Sequence, residues 1–305
     1  MSKFRLRGRR RKNRPASHDR IPLRSIVPNL ITSIAACAGI TSITISATNY
    51  AKTLAGKAPA TPRDWFMALF ALLVACICDA MDGRVARLLN ASSKLGAELD
   101  SLADFVNFGV APAMFMYFWC LSGQPDMPPH VKNLLLGSAL FYALCDAFRL
   151  ARFNTMLEQP TIPYWKNFFL GVPAPGGCWM VLTPAILALS FTVKETAPLV
   201  SNAFQNPWFG MSMLLFIGVL MASRLPTISL KSLHISRAYL LPTMAGCLLL
   251  VAFLATNFWL TLGAVGAGYI ATVPFVGLIF LKVRAKYLRD HGQAEPSPAA
   301  PASAN

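Results

Sequence analysis

The chain has 305 residues, of which 55% are hydrophobic and only 13% are charged, and its mean hydropathy is positive. Soluble domains carry about 25% charged residues, so this composition argues against a soluble protein and indicates a membrane protein. The net charge of +15 does not indicate nucleic-acid binding, because the basic residues lie in the tails and between apolar runs. Seven cysteines without a CxxC pair give no sign of a zinc site or a disulfide framework.

The two ends of the chain differ from the apolar middle. Residues 1–27 contain ten Lys or Arg against one acid, Asp19, and predict a solvated cytoplasmic tail. This tail either lies on anionic lipid headgroups or only fixes the orientation of the chain. Ala, Pro and Ser dominate the far end, so we expect a disordered tail over 287–305. A transmembrane catalytic domain then spans 28–286.

Apolar runs long enough to cross a bilayer alternate with short polar connections. They predict an all-α polytopic membrane protein with about eight transmembrane helices, near 28–47, 64–81, 102–122, 132–148, 176–193, 208–223, 239–256 and 258–281. An even number returns both termini to one side. That side then holds 23 of the 28 Lys and Arg residues, so the positive-inside rule places both termini in the cytoplasm.

Four aspartates stand where the second predicted span ends and the third begins. On a helix, positions 79, 82, 83 and 86 share one face, and positions 96, 100 and 104 share another. Two helices that meet on these faces bring four carboxylates together beside residues with little or no side chain. The carboxylates are Asp79, Asp82, Asp100 and Asp104, and the small residues are Gly83, Ala86 and Gly96.

Four neighbouring carboxylates repel one another unless cations neutralise them. Mg²⁺ or Mn²⁺ prefers oxygen ligands, and two such ions are suited to a phosphoryl displacement. The guanidinium of Arg87 is suited to a phosphate oxygen. Two alternatives are a structural network of the acids with Arg84, Arg87 and Lys94, and a proton or cation pathway. A pathway is expected to place its charges near the membrane midplane, whereas these acids crowd one end.

The spacing Asp-x2-Asp-Gly-x2-Ala-Arg-x8-Gly-x3-Asp-x3-Asp over residues 79–104 resembles the signature of the CDP-alcohol phosphatidyltransferase family, and every fixed position is present. The resemblance implies an integral membrane enzyme in which an alcohol displaces CMP from a CDP-linked lipid. It also implies that two divalent cations are held by Asp79, Asp82, Asp100 and Asp104. Asp104 is then also the base for the acceptor hydroxyl, and Gly83, Ala86, Arg87 and Gly96 line the CMP and its phosphates.

Flanking residues resemble the bacterial, serine-accepting members of the family. They are the segments 28–32, 98–112, 149–154, 171–175 and 223–226. This resemblance implies transfer of the phosphatidyl group from CDP-diacylglycerol to L-serine in a bacterial inner membrane. Glycerol 3-phosphate, inositol phosphate and choline are the alternative acceptors, and a homodimer is possible because small-residue helix faces often associate.

Serine carries a carboxylate that needs a cation. Arg149, Arg152 and Asn154 fall on the same side of the predicted topology as the aspartates, so we expect them to bind serine or the lipid phosphate. For each of them, an ordinary positive-inside role is an equally good interpretation. Asp146 is expected to pair with Arg149 three residues later.

Overall fold

A computed structural model describes residues 23–56, 60–91, 93–156, 168–194, 198–223, 226–228 and 239–291. The described residues form helices joined by short connections and one two-stranded sheet. The helices are α1 (Leu23–Ala55), α2 (Pro62–Leu88), α3 (Lys94–Asp104), a π-helical segment (Phe105–Val110), α4 (Ala111–Gly123), α5 (Pro129–Met156), α6 (Ala174–Lys194), α7 (Pro198–Phe204), α8 (Pro207–Ala222), α9 (Leu240–Thr256) and α10 (Phe258–His291).

The all-helical membrane class predicted from composition is confirmed. Six helical stretches are long and apolar enough to cross a membrane, and each matches a predicted span: 26–55, 62–88, 94–123, 129–155, 174–194 and 258–277. The other two predicted spans coincide with shorter apolar helices, Pro207–Ala222 and Leu241–Thr256. The count of eight crossings therefore stays a prediction.

Local interactions explain where some helices begin and end. At the start of α2, the Thr61 side chain accepts from the Asp64 backbone N–H, and the Asp64 carboxylate accepts from the Thr61 N–H. This reciprocal capping box satisfies free backbone donors of the first turn. Asn257 separates α9 from α10, which confirms the predicted break between the last two apolar runs.

Two tail boundaries differ from the predictions. α1 already begins at Leu23, and α10 continues to His291, five residues into the predicted C-terminal tail. The charged residues at these ends are compatible with a helix, so the helices continue where the apolar pattern stops. The rest of both tails lies outside the described residues.

The core is built where α4, α5, α6 and α8 pack around large buried side chains. Trp119, Tyr142 and Phe115 are fully buried there. α5 and α8 approach closely at Gly218, where an added Cβ atom would lie 3.3 Å from the Tyr142 Cα. Close approach through small residues is how membrane helices gain packing energy in lipid.

A small sheet and α7 are features that the apolar pattern did not predict. β1 (Phe168–Leu170) pairs antiparallel with β2 (Pro226–Ile228). Gly171 follows β1 with a φ of +76°, and a Cβ atom there would lie 3.0 Å from the carbonyl oxygens of Met221 and Ser223. Only glycine combines that backbone conformation with so close an approach.

Candidate active site

One end of the helix bundle collects the predicted site residues. α2 carries Asp79 and Asp82 in its last turns, and α3 returns with Asp100 and Asp104. Ser93 caps α3 by accepting from the Gly96 backbone N–H at 3.0 Å. Because α1 packs on both α2 and α3, its first turns lie against the same end.

Three of the four aspartates converge. One carboxylate oxygen each from Asp79, Asp82 and Asp100 lies within 4.8 Å of the other two. Asp82 is only 3% exposed, and Asp79 Oδ1 is buried without a hydrogen-bond partner among the described residues. Three hard oxygen donors with an unsatisfied buried atom fit a divalent cation such as Mg²⁺ or Mn²⁺.

The fourth aspartate lies one turn deeper. The Asp104 carboxyl group interacts directly with that of Asp79 but does not belong to the three-carboxylate group. Four residues of helix correspond to about 6 Å along the axis, so Asp104 lies below Asp100. Helical spacing predicts that all four carboxylates lie together, whereas in the structure three of them form a group and Asp104 lies one helical turn further along α3.

The structural-network alternative finds no support in the part of the chain that the structure describes. Arg84, Arg87 and Lys94 all belong to that part, and none forms an ion pair with the four aspartates there. Arg87 instead donates from Nε to the Gly83 carbonyl oxygen at 3.0 Å. These three cations therefore do not neutralise the four acids through ion pairs.

Thr32 on α1 is a site residue to which the sequence argument assigned no role. Its hydroxyl donates to Asp82 Oδ2 at 2.6 Å, and both residues are buried. The other carboxylate oxygen, Oδ1, accepts from the Gly83 backbone N–H at 2.5 Å. These contacts orient the Asp82 carboxylate. Thr32 belongs to the segment 28–32, whose resemblance to serine-accepting members is the sequence feature that could have indicated a role for it.

The small residues of the site have different surroundings. A Cβ atom at Gly96 would lie 2.9 Å from Asn29 Oδ1, so this glycine lets α3 pack on α1. A Cβ atom at Gly83 would meet nothing within 4 Å, and Gly83 is exposed. Ala86 is partly buried one turn further along α2. Gly83 and Ala86 thus border open space beside the carboxylates.

The residues expected to bind serine or phosphate lie at the end of α5 and have separate environments. Arg149 is partly buried, and its Nε has no hydrogen-bond partner among the described residues. Arg152 donates to the Ala222 carbonyl oxygen at 2.9 Å and to that of Ser223 at 3.1 Å. Asn154 donates to the Ser101 hydroxyl at 3.1 Å. Arg152 therefore binds carbonyl oxygens at the end of α8.

An apolar groove opens beside the acidic end. It holds a cavity of about 20 Å³ and is lined by α2, the π-helical segment, α6 and α10, with Cys76, Phe108 and Trp179 among its walls. Cys76 precedes Asp79 by one turn of α2. The cavity therefore begins one helical turn from Asp79.

Comparison with known proteins agrees with this geometry. A family model described as CDP-alcohol phosphatidyltransferase matches residues 25–211, which is more than half of the chain. The chain belongs to the CDP-alcohol phosphatidyltransferase family, and it is therefore a transferase and an integral membrane enzyme. Members of this family generally depend on divalent cations.

Individual relatives are similar over most of the chain. A CDP-diacylglycerol–serine O-phosphatidyltransferase from Mycobacterium leprae is 32% identical over 266 residues, covering 86% of this chain and 78% of the relative. Proteins of the same name are 30% identical in Helicobacter pylori, over 66% of this chain and 70% of the relative, and 39% identical in Saccharomyces cerevisiae, over 48% and 49%. The resemblance to the serine-accepting members is confirmed.

Proposed function

We propose that the protein transfers the phosphatidyl group of CDP-diacylglycerol to the hydroxyl of L-serine, forming phosphatidylserine and releasing CMP. The observation that carries this proposal is the convergence of the Asp79, Asp82 and Asp100 oxygens at one end of a membrane bundle. Relatives named for the serine reaction over most of the chain support the choice of acceptor. The ion-pathway alternative is not favoured, because the family is one of transferases.

The four aspartates bind the divalent cations, and Asp104 has a second role as the base. The oxygens of Asp79, Asp82 and Asp100 converge, and together with Asp104 these residues hold two divalent cations, Mg²⁺ or Mn²⁺. When bound, these cations supply positive charge that stabilises the diphosphate and the departing CMP. Thr32 and the Gly83 N–H keep Asp82 oriented for this task.

Asp104 acts as the base. Its position one turn deeper than Asp100 keeps it outside the three-carboxylate group and close to Asp79. The serine oxygen attacks the phosphorus next to the diacylglycerol and gives its proton to Asp104, while the bond from that phosphorus to the CMP oxygen breaks. Direct transfer is favoured because no activated Ser, Cys or His nucleophile is evident beside the acids in the sequence.

The remaining site residues bind and orient. Gly83 and Ala86 leave room for the nucleotide, Arg87 binds a phosphate oxygen, and Gly96 brings α3 close to α1. Arg149 and Asn154, near the end of α5, bind serine or the lipid phosphate. Arg152 shapes the acceptor side through its bonds to the end of α8; direct contact with serine or phosphate, as the sequence predicts, is its alternative role.

The predicted topology determines the side of the membrane on which the active site lies. The active site faces the cytoplasm of a bacterium, both termini lie there, and the enzyme resides in the inner membrane. Contact of the basic tail with anionic lipid headgroups and formation of a homodimer also stay predictions, because residues 1–22 lie outside the described part and no second chain is present.

An acceptor assay tests the proposal. Purified full-length protein is mixed with CDP-diacylglycerol, Mn²⁺ and one labelled acceptor: serine, glycerol 3-phosphate, inositol phosphate or choline. We expect label in lipid and stoichiometric CMP only with serine. Label from another alcohol would overturn the acceptor, and absence of CMP release with all four would overturn the transferase proposal.

A further inference from the structure

The regular helical hydrogen bonding after Asp104 is interrupted at Phe108. In an α-helix, the carbonyl oxygen of this residue would accept from the backbone N–H four residues later. That residue is Pro112, which has no N–H to donate. Phe108 is only 2% exposed, and a buried carbonyl without its regular donor is costly unless another group replaces that donor. The Phe108 carbonyl therefore requires a donor from outside the regular α-helical ladder.

Tyr142 of α5 supplies such a donor. Its hydroxyl donates to the Phe108 carbonyl oxygen at 3.0 Å, and the two residues are 34 positions apart in the sequence. Tyr142 has no exposed surface, and its ring is part of the buried core. Because a closely packed core holds its side chains in defined rotamers, the hydroxyl has a fixed position. α5 thereby fixes the backbone at Phe108.

The neighbours of Phe108 are also held by other helices. Asn107 is only 1% exposed, and a Cβ atom added to Gly39 of α1 would overlap its side-chain oxygen. A Cβ atom added to Gly109 would lie 2.8 Å from the Asp146 side chain of α5. The three consecutive residues 107–109 thus contact α1 or α5. The bundle therefore defines the backbone conformation here from more than one side.

These residues belong to the π-helical segment, which begins directly after Asp104. The backbone N–H of Ala111 donates to the Val106 carbonyl, five residues earlier, which is the bonding that defines a π turn. Such turns are rare and frequently lie at functional sites. A shift in this segment would change the direction of Asp104, its immediate neighbour. Asp100 lies a full turn further away on α3, so it would move less.

We propose that Tyr142 is a positioning residue for Asp104. Its hydroxyl holds the Phe108 carbonyl and so maintains the π-helical segment, which directs the Asp104 carboxyl group towards the acceptor hydroxyl. This inference rests on the proposed function, in which Asp104 is the base. Because Tyr142 is fully buried, it acts through the backbone and not by contact with a substrate.

The expected effect is on the rate of transfer. A base must lie within hydrogen-bond reach of the proton that it removes, and a displacement of about 1 Å can lower a rate by about 100-fold. The groups proposed to bind CDP-diacylglycerol lie on α2 and at the start of α3, away from the π-helical segment. Loss of the Tyr142 hydroxyl should therefore lower kcat and leave substrate affinity unchanged.

The test compares full-length wild type with Tyr142→Phe, which keeps the ring and removes the hydroxyl. With CDP-diacylglycerol, labelled serine and Mn²⁺, we expect kcat to fall by about 10- to 100-fold, with both substrate KM values unchanged. Electron paramagnetic resonance counts bound Mn²⁺, and kcat is expressed per bound Mn²⁺. The amount bound should be unchanged, because Asp79, Asp82 and Asp100 remain. Loss of folded protein would instead lower turnover and bound Mn²⁺ together.

A double variant separates the positioning of Asp104 from a general effect on the fold. In Asp104→Asn no base remains to be positioned, so the further change Tyr142→Phe should have little additional effect on turnover. A role of Tyr142 in folding alone would lower turnover by the same factor in both backgrounds.

Tyr117→Phe is the matched control, because this tyrosine lies on α4, where its ring packs on Phe118. It should keep the wild-type kcat. If Tyr142→Phe gives no folded protein, Gly39→Ala displaces Asn107 from the α1 side and should also lower kcat per bound Mn²⁺. Wild-type kcat per bound Mn²⁺ in the variant measured, or equal losses in both backgrounds, would overturn the inference. Wild type that transfers nothing to serine would overturn the proposed function itself.

Discussion

The hydroxyl of Thr32 donates a 2.6 Å hydrogen bond to Asp82 across the interface between α1 and α2. Both side chains are buried, at 4% and 3% exposure. The first helix, which carries none of the four aspartates, thereby fixes the direction of one of them. Outer partners of this kind orient metal-binding carboxylates and commonly affect metal affinity by 10- to 100-fold.

Replacement of Thr32 by Val should weaken cation binding, because the hydrogen bond to Asp82 is lost while the side-chain volume is kept. We expect the Mn²⁺ concentration for half-maximal activity, and the Mn²⁺ affinity measured directly by electron paramagnetic resonance, to shift by roughly tenfold. Thr32→Ser should restore both values. The control is Thr44→Val on the exposed side of α1, where the hydroxyl bonds only to the Ile40 carbonyl. Equal Mn²⁺ affinity in wild type and Thr32→Val would contradict the positioning role.

Gly83 and Gly96 should respond differently to alanine. Gly96→Ala places a Cβ atom 2.9 Å from Asn29 Oδ1, so it should destabilise the fold by about 1–3 kcal/mol. Gly83→Ala meets nothing within 4 Å in the protein itself, so it should not lower thermal stability, since alanine favours a helix over glycine, and it should raise the KM for CDP-diacylglycerol. Gly137→Ala, also without neighbours within 4 Å, is the control for both. A normal KM in Gly83→Ala would remove this glycine from the proposed nucleotide site.

Arg152 should act mainly through the fold. Arg152→Met removes the hydrogen bonds that this side chain donates to the carbonyls of Ala222 and Ser223 at the end of α8. We expect the free energy of unfolding to fall by about 1.5–3 kcal/mol, and the KM for serine to change little once the folded fraction is taken into account. A raised serine KM at unchanged stability would instead assign Arg152 to the acceptor.

Sequence patterns were sufficient to predict the positions of the membrane-spanning helices. Apolar runs located the helices because every backbone group in a membrane core must bond internally. The i, i+3 and i+4 spacing brought Asp79, Asp82 and Asp100 to one place, as the structure has them. The spacing places residues on a helix face by local geometry, and the packing of α3 beside α2 then brings Asp100 to Asp79 and Asp82.

Sequence patterns could not predict contacts between residues that are far apart in the sequence. The bond from Thr32 to Asp82 joins residues 50 positions apart, and Asp146 meets Gly109 across two helices. The π-helical turn after Asp104 has no reliable sequence cue, and it changes which residues face α5. Helical spacing therefore could not predict that Asp104 lies outside the group of three. It also predicted a pair of Asp146 and Arg149, whereas in the structure both residues have buried polar atoms without hydrogen-bond partners among the described residues.

Asp104 is the proposed base of the reaction, and Asp104→Asn tests this role most directly. The variant keeps the shape of the side chain and removes its capacity as a base. With CDP-diacylglycerol, labelled serine and Mn²⁺, we expect phosphatidylserine formation to fall by a factor of at least about 100, in the range typical for loss of a general base. Electron paramagnetic resonance should still detect bound Mn²⁺, because Asp79, Asp82 and Asp100 remain. Wild-type turnover in this variant would contradict the assignment of Asp104 as the base.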